Sequence, residues 1–361
     1  MHVEIKRTEL IRVLSTVAKA VESRNTIPIL ANVLLTATDG RLSIRGTNLD
    51  IDVQANCDAI VMENGATTVD AKKLTEIAKK AAGESVNLNM SGSDLSVSSG
   101  RSQFKLHTLP ADDFPILTDA QYPHRFKANL ADLFSRVAFA ISTEETRYYL
   151  NGIYLHVHQD GDFQLRAVAT DGHRLARADA PLPEAIDGHF GVIVPSKTVA
   201  LISSLKGDVD VEVSSTKIRV TAADVVLTSK LIDGTFPDYG RVVPKNNDRR
   251  LVIERKALAA VVDRVSTISS NGGRAVKLAF SNGRLALSMS NPDSGSASEE
   301  LDVGYVFDPM EIGFNSRYLL DILKLPIGER VEVMLSNADS PTIFQSIDGE
   351  NDLFVLMPMR I

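Results

Sequence analysis

The chain has 361 residues, of which 44% are hydrophobic and 24% charged, and its net charge is −7. That length holds two to three domains with a packed core, and an acidic balance argues at first sight against a nucleic-acid partner. The lone Cys57 excludes an intrachain disulfide, no apolar run approaches the roughly 18 residues of a membrane helix, and the opening MHVEIKRTEL lacks the apolar centre of a signal peptide, so a cytosolic protein without a membrane partner is expected.

The first predicted helix covers 7–24, where Leu10, Val13, Leu14, Val17, Ala18 and Val21 form one apolar stripe at helical spacing. A turn at Gly40 leads into Leu42-Ser43-Ile44, which alternates as a half-buried strand does. A second helix over 70–82, anchored by Leu74 and Ile77, precedes Val86, Leu88 and Met90 at period two, and Phe114-Pro115 closes the block. The same order then begins again. A helix over 129–140 carries Leu130, Leu133, Phe134, Val137 and Ala138, with Ile141 next on the same stripe; Gly161 precedes Phe163-Gln164-Leu165. A helix over 196–206 (Val199, Ile202) precedes Val209, Val211 and Val213, and Phe236-Pro237 follows. In the third pass a helix over 255–265 carries Leu258, Val261, Val262 and Val265, and Gly283 precedes Leu285-Ala286-Leu287. A last helix over 316–324 (Leu319, Ile322, Leu323) precedes Val331, Val333 and Leu335, and Met357-Pro358 closes the pass.

The turn glycines lie 121 and 122 residues apart, and the proline pairs 122 and 121. A period this long is a whole domain rather than a solenoid unit. The expectation is an α+β protein of three similar domains, 1–123, 124–247 and 248–361, each with two helices packed on antiparallel sheets. The six helical segments carry a net charge of +9 and the remainder −16, which recovers −7. One surface built from helices then attracts phosphate and the other repels it. A protein enclosing DNA can carry such a charge division, because only its lining meets the duplex.

Asp171-Gly172-His173-Arg174 invites a catalytic reading, but Asp-Gly is a common turn signal. The chain shows no nucleophile elbow, no Cys beside a base, no metal-spaced histidines and no phosphate-cradling loop. No catalytic residue, metal or cofactor is expected.

Five segments carry a family resemblance: Thr26–Asn32, Arg147–Gly152, Ala169–Leu175, Leu231–Tyr239 and Met357–Ile361. In this order they resemble the bacterial DNA polymerase III beta subunit family, the replicative sliding clamps, along the full length. The resemblance implies a head-to-tail homodimer, a six-domain ring around double-stranded DNA that binds without regard to sequence. Six helix-and-strand units could close with two chains or three, and the resemblance selects two. It implies DNA contacts at Arg24, Tyr148, Tyr149 and Lys197, with Glu144 and Glu145 bringing negative charge beside the tyrosines. It implies dimer-interface residues at Phe104 and Ile268. A pocket for short peptides is implied at Leu150, Thr170, Gly172, His173, Arg174, Leu175, Pro237, Arg241, Val242, Val355, Met357, Pro358, Met359 and Arg360. Partners implied for that pocket are the polymerase III alpha subunit, the clamp loader, other DNA polymerases and repair proteins. Leu, Val and Pro make such a cleft apolar, and the methionines let it refit. A repeat-built protein scaffold that never encircles DNA is the alternative. If Arg24 faces DNA, Arg24→Ala weakens association and lowers the slope of log affinity against log salt by about one, as salt titrations of binding would read.

Overall fold

A computed structural model describes residues 1–22, 26–182, 189–269, 275–347 and 352–361. Among these residues six α-helices form at the predicted stripes: α1 (Arg7–Val17), α2 (Ala71–Lys80), α3 (Leu130–Ser135), α4 (Ser196–Ile202), α5 (Arg255–Val265) and α6 (Ser316–Leu323). The stripes are the buried faces. Leu10, Val13, Leu14 and Val17 of α1 are fully enclosed, and so are Leu130, Leu133 and Phe134 of α3. Asp70 caps α2 by accepting from the Lys73 amide at 2.7 Å, and Asn315 caps α6 by accepting from Arg317 N at 3.1 Å.

Two helices are shorter than their stripes. The α1 helix ends at Val17, and Val17 and Val21 then pack directly over Gly46, where a Cβ would lie 2.7 Å from the Val17 side chain. The α3 helix ends at Ser135, Val137 leaves helical geometry at φ −124°, and a 3-10 turn over Ala138–Ala140 continues the buried face. The stripe reports burial, and burial outlasts the helix in both places. The recurring turn glycines have a backbone cause: Gly40, Gly161 and Gly283 adopt φ of +76°, +79° and +73°, a region that favours glycine.

By contacts the chain forms two compact units: residues 1–129 with 200–231, and residues 130–182, 189–199 and 232–361. The first unit holds a 13-stranded antiparallel sheet running from His124–Ala128 at one edge to Ile60–Glu63 at the other. The second holds an eight-stranded sheet from Gly191–Pro195 to Arg249–Glu254 and a four-stranded sheet edged by Gly295–Asp302. The sheets run across the sequence repeats. Val225–Lys230 pairs with Ile51–Asp58, joining the second repeat to the first. Arg174–Pro181 pairs with Leu353–Leu356, joining the second to the third. Asn247 is buried at the second expected boundary and donates to the carbonyls of Met334 and Pro341, both at 2.9 Å. No helix among the described residues is long and apolar enough to cross a membrane.

Charged side chains reinforce the second joint. Arg136 lies buried with Nη1 2.8 Å from the Asp352 carboxylate and Nη2 3.1 Å from the Asp179 carbonyl. A buried pair contributes little net stability over an apolar substitute, but breaking it strands a charge. Asp352→Ala should therefore cost about 3–5 kcal/mol of unfolding free energy, read by urea denaturation.

Candidate functional site

Strand register across the second joint builds an apolar row. Leu175 pairs with Val355, Val355 with Ile343, and Ile343 with Met334. Paired residues project from the same face of a sheet, so these four side chains stand side by side. Leu150, Val168, Ile193, Phe236 and Leu353 complete the buried cluster, and Tyr149, Tyr154, Ile232, Tyr239 and Val243 pack against it half-buried.

Exposed groups edge this cluster. Pro237, Arg241 and Val242 come from the segment around the 3-10 turn Tyr239–Arg241. Met357 and Met359 come from the chain's last residues and are 38% and 40% exposed, and Arg360 is exposed beside the half-buried Pro358. The Met357 amide donates to the His173 carbonyl at 2.9 Å, and the Met359 amide to Gly313 O at 2.8 Å. The Gly313 approach admits no side chain, because a Cβ would lie 2.7 Å from Met359 O.

Asp171–Arg174 forms the opposite edge. Asp171 Oδ1 accepts from the amides of His173 at 2.9 Å and Arg174 at 3.0 Å, so the Asp serves a turn. Thr170 Oγ donates to the Arg174 carbonyl at 2.8 Å. The Arg174 guanidinium bonds Asp321 at 2.6 Å and Asp171 at 3.0 Å and lies 4.2 Å from the Tyr318 ring centre. Arg174 is thus a fixed post in the wall, while His173 is exposed and stacks on Tyr318 at 6.3 Å. All fourteen pocket residues lie within the second unit.

The remaining expected residues fall elsewhere. Tyr148 is 54% exposed, whereas Tyr149 packs against the apolar cluster. Lys197 is exposed in the first turn of α4. Glu144 lies 2.6 Å from the Arg147 guanidinium, so its charge is met locally. Arg24 lies outside the described residues. Phe104 is 38% exposed on the strand Ser102–Leu109 of the first unit, and Ile268 is half-buried at the turn Ser266–Ile268 of the second.

Sequence reasoning missed Tyr318, Phe236, Met334 and Ile343. Met334 and Ile343 read as ordinary core strand residues, and only the register sets them beside Leu175. It also missed a cavity of about 580 Å³ in the first unit, lined by Glu4, Lys6, Glu9, Asp58 and Ile60 among others. Cys57 is buried, and burial pushes its thiol up to about 11, which leaves it unreactive. Among the described residues no group of three or more His, Cys, Asp or Glu could hold a metal ion.

Comparison with known proteins gives one answer along the whole chain. Residues 1–118, 126–238 and 240–360 match the models for the N-terminal, central and C-terminal domains of the DNA polymerase III beta subunit. The chain is 44% identical over 372 residues to the beta sliding clamp of Caulobacter vibrioides, covering 100% of both chains. Among solved structures it is similar to a sliding clamp from Bartonella birtlesii bound to griselimycin, at TM-score 0.96, 44% identity and 100% of both chains. It is also similar to a griselimycin-bound sliding clamp from Pseudomonas aeruginosa, at TM-score 0.94, 36% identity and 100% of both chains.

Gly172 carries one consequence of this geometry. Its φ is +88°, and a Cβ would lie 2.7 Å from Arg147 Nη1. Gly172→Ala should cost about 1–2 kcal/mol in chemical denaturation, mostly for the left-handed backbone, since the Arg147 tip can move aside.

Proposed function

The chain belongs to the DNA polymerase III beta subunit family, the beta sliding clamps, and on that premise we propose that two copies close head to tail around duplex DNA. It is then a cytoplasmic, non-catalytic tether. The polymerase III alpha subunit, the clamp loader, other polymerases and repair proteins dock in the cleft over Leu175 and Val355. Griselimycin occupies the same cleft in this reading.

The observation that carries the ring is a pair of unlike sheet edges. Ser102–Leu109 bonds along its length to Asp94–Ser99, but meets Gly65–Asp70 only at Thr108 and Leu109. Its other side, beside Arg101, Lys105, His107 and the exposed Phe104, presents unused backbone groups. Gly295–Asp302 is the outermost strand of the four-stranded sheet and carries Glu299, Glu300 and Asp302. An unpaired edge is a template for another strand. The two strands can pair between copies, and unlike ends joined heterologously generate a ring when the rotation closes.

Enclosure changes what binding must supply. A closed ring leaves duplex DNA only by opening or by sliding off an end, so its phosphate contacts can stay weak and blind to sequence. Lys197 and the exposed Tyr148 supply such contacts, with the tyrosine ring available for stacking on an unpaired base. In the cleft, Leu175, Val355 and Val242 receive an apolar anchor, Met357 and Met359 adapt to different partners, and Arg241 and Arg360 meet carboxylates or carbonyls at the rim. The experiment is release by linearisation. Protein loaded on nicked circular DNA should be retained until the circle is cut and lost promptly afterwards. Equal retention on cut and uncut DNA contradicts encirclement.

A further inference from the structure

The rim residues Pro237, Arg241 and Val242 belong to one short segment, and two neighbouring positions on the strand Gly152–Asp160 hold it. Phe236 opens the segment, and its ring stacks on Tyr154 with centroids 5.0 Å apart and planes 6° from parallel. The Tyr154 ring in turn lies 4.7 Å from the His156 ring. Gly191 on the adjoining strand has no Cβ, which leaves room for the Tyr154 hydroxyl. Tyr239 follows three residues after Phe236, and its hydroxyl lies 2.9 Å from His156 Nε2. The Tyr239 carbonyl then accepts from the amides of Val242 at 3.0 Å and Val243 at 3.3 Å. The turn that presents Arg241 and Val242 therefore hangs from Tyr239.

The histidine's tautomer follows from its other contact. His156 Nδ1 is 3.1 Å from the Val157 carbonyl, which can only accept. Nδ1 therefore carries the hydrogen, Nε2 is a bare acceptor, and Tyr239 donates to it.

We propose that Tyr154 and His156 are positioning residues for the docking cleft, and that the Tyr239–His156 bond holds the Arg241–Val242 rim. The inference rests on the docking reading above. The groups facing His156 are Tyr154 and His158 on its own strand, Arg166 on Asp162–Thr170, Asp179 on Arg174–Pro181, and Tyr239. Arg166 is buried and bonded to both Asp179 oxygens, at 2.6 and 2.8 Å. Burial, with smaller contributions from Arg166 and His158, moves His156 below the ordinary histidine range. The direction is fixed by that sign. His156 is neutral and accepting at neutral pH. A proton added to Nε2 at lower pH reverses this bond rather than breaking it, because the Tyr239 hydroxyl accepts as well as donates.

The test measures griselimycin binding by calorimetry for the wild type, Tyr239→Phe and His156→Gln. At about pH 7.5, Tyr239→Phe should bind about five-fold more weakly, the scale of one hydrogen bond. The phenylalanine has no hydroxyl to donate or accept, so that deficit should persist towards about pH 5. His156→Gln keeps an amide oxygen for Tyr239 and should stay within about two-fold of wild type, whereas His156→Leu, measured alongside, offers Tyr239 no partner and should match the Tyr239→Phe deficit. A Tyr239→Phe deficit that is absent at neutral pH overturns the proposal. His156→Leu that binds as tightly as wild type does so even where Tyr239→Phe fails to fold. Wild type that does not bind griselimycin removes the docking reading itself, a distinguishable failure.

Discussion

Backbone hydrogen bonds run without interruption from one sequence repeat into the next. Val225–Lys230 continues the sheet of Ile51–Asp58, and Arg174–Pro181 continues into Leu353–Leu356. Every donor and acceptor used at these joints would otherwise be left unsatisfied in a packed interior, so the joints are costly to open. Two consequences follow. The cleft exists only because two repeats pair, since Leu175 lies on one side of the second joint and Val355 on the other. In the ring proposed above, unpaired backbone on Ser102–Leu109 and Gly295–Asp302 serves a second copy.

Ion pairs make the second joint specific. Arg136 reaches Asp352, and Arg174 reaches Asp321, each linking the second repeat to the third. A strand pair can slip in register, and a slip of one residue sends every side chain to the opposite face. A slip here would separate both arginines from their carboxylates and turn Leu175 away from Val355. Polar pairs placed this way hold the cleft's geometry more than they add stability. The same frame supports the rim, because Tyr154 and His156 stand on the strand next to Asp162–Thr170, whose other neighbour forms the joint.

Much of this was legible in the residues. The stripe at Leu10, Val13, Leu14 and Val17 named a buried face, and the recurrence of Gly40, Gly161 and Gly283 marked equivalent left-handed turns. Burial and helix part company at α3: Val137 is enclosed although the helix has ended. The joints were not legible. Nothing in Leu356 or Arg174 announces that they are opposite each other, because pairing between distant strands is set by the whole sheet. The apolar row was half visible for the same reason, with Leu175 and Val355 found by resemblance and Ile343 and Met334 hidden among ordinary strand residues. The role of Asp171 illustrates a local signal read correctly: Asp-Gly was a turn, and the carboxylate is spent on backbone amides.

Pairing of Ser102–Leu109 with Gly295–Asp302 between copies is the central claim, and the mass of the protein in solution tests it most directly. Light scattering at micromolar concentration should give twice the mass of one chain, with the amides of Ser102–Leu109 protected from exchange. The mass of a single chain, or of three, with those amides exchanging freely, contradicts the account.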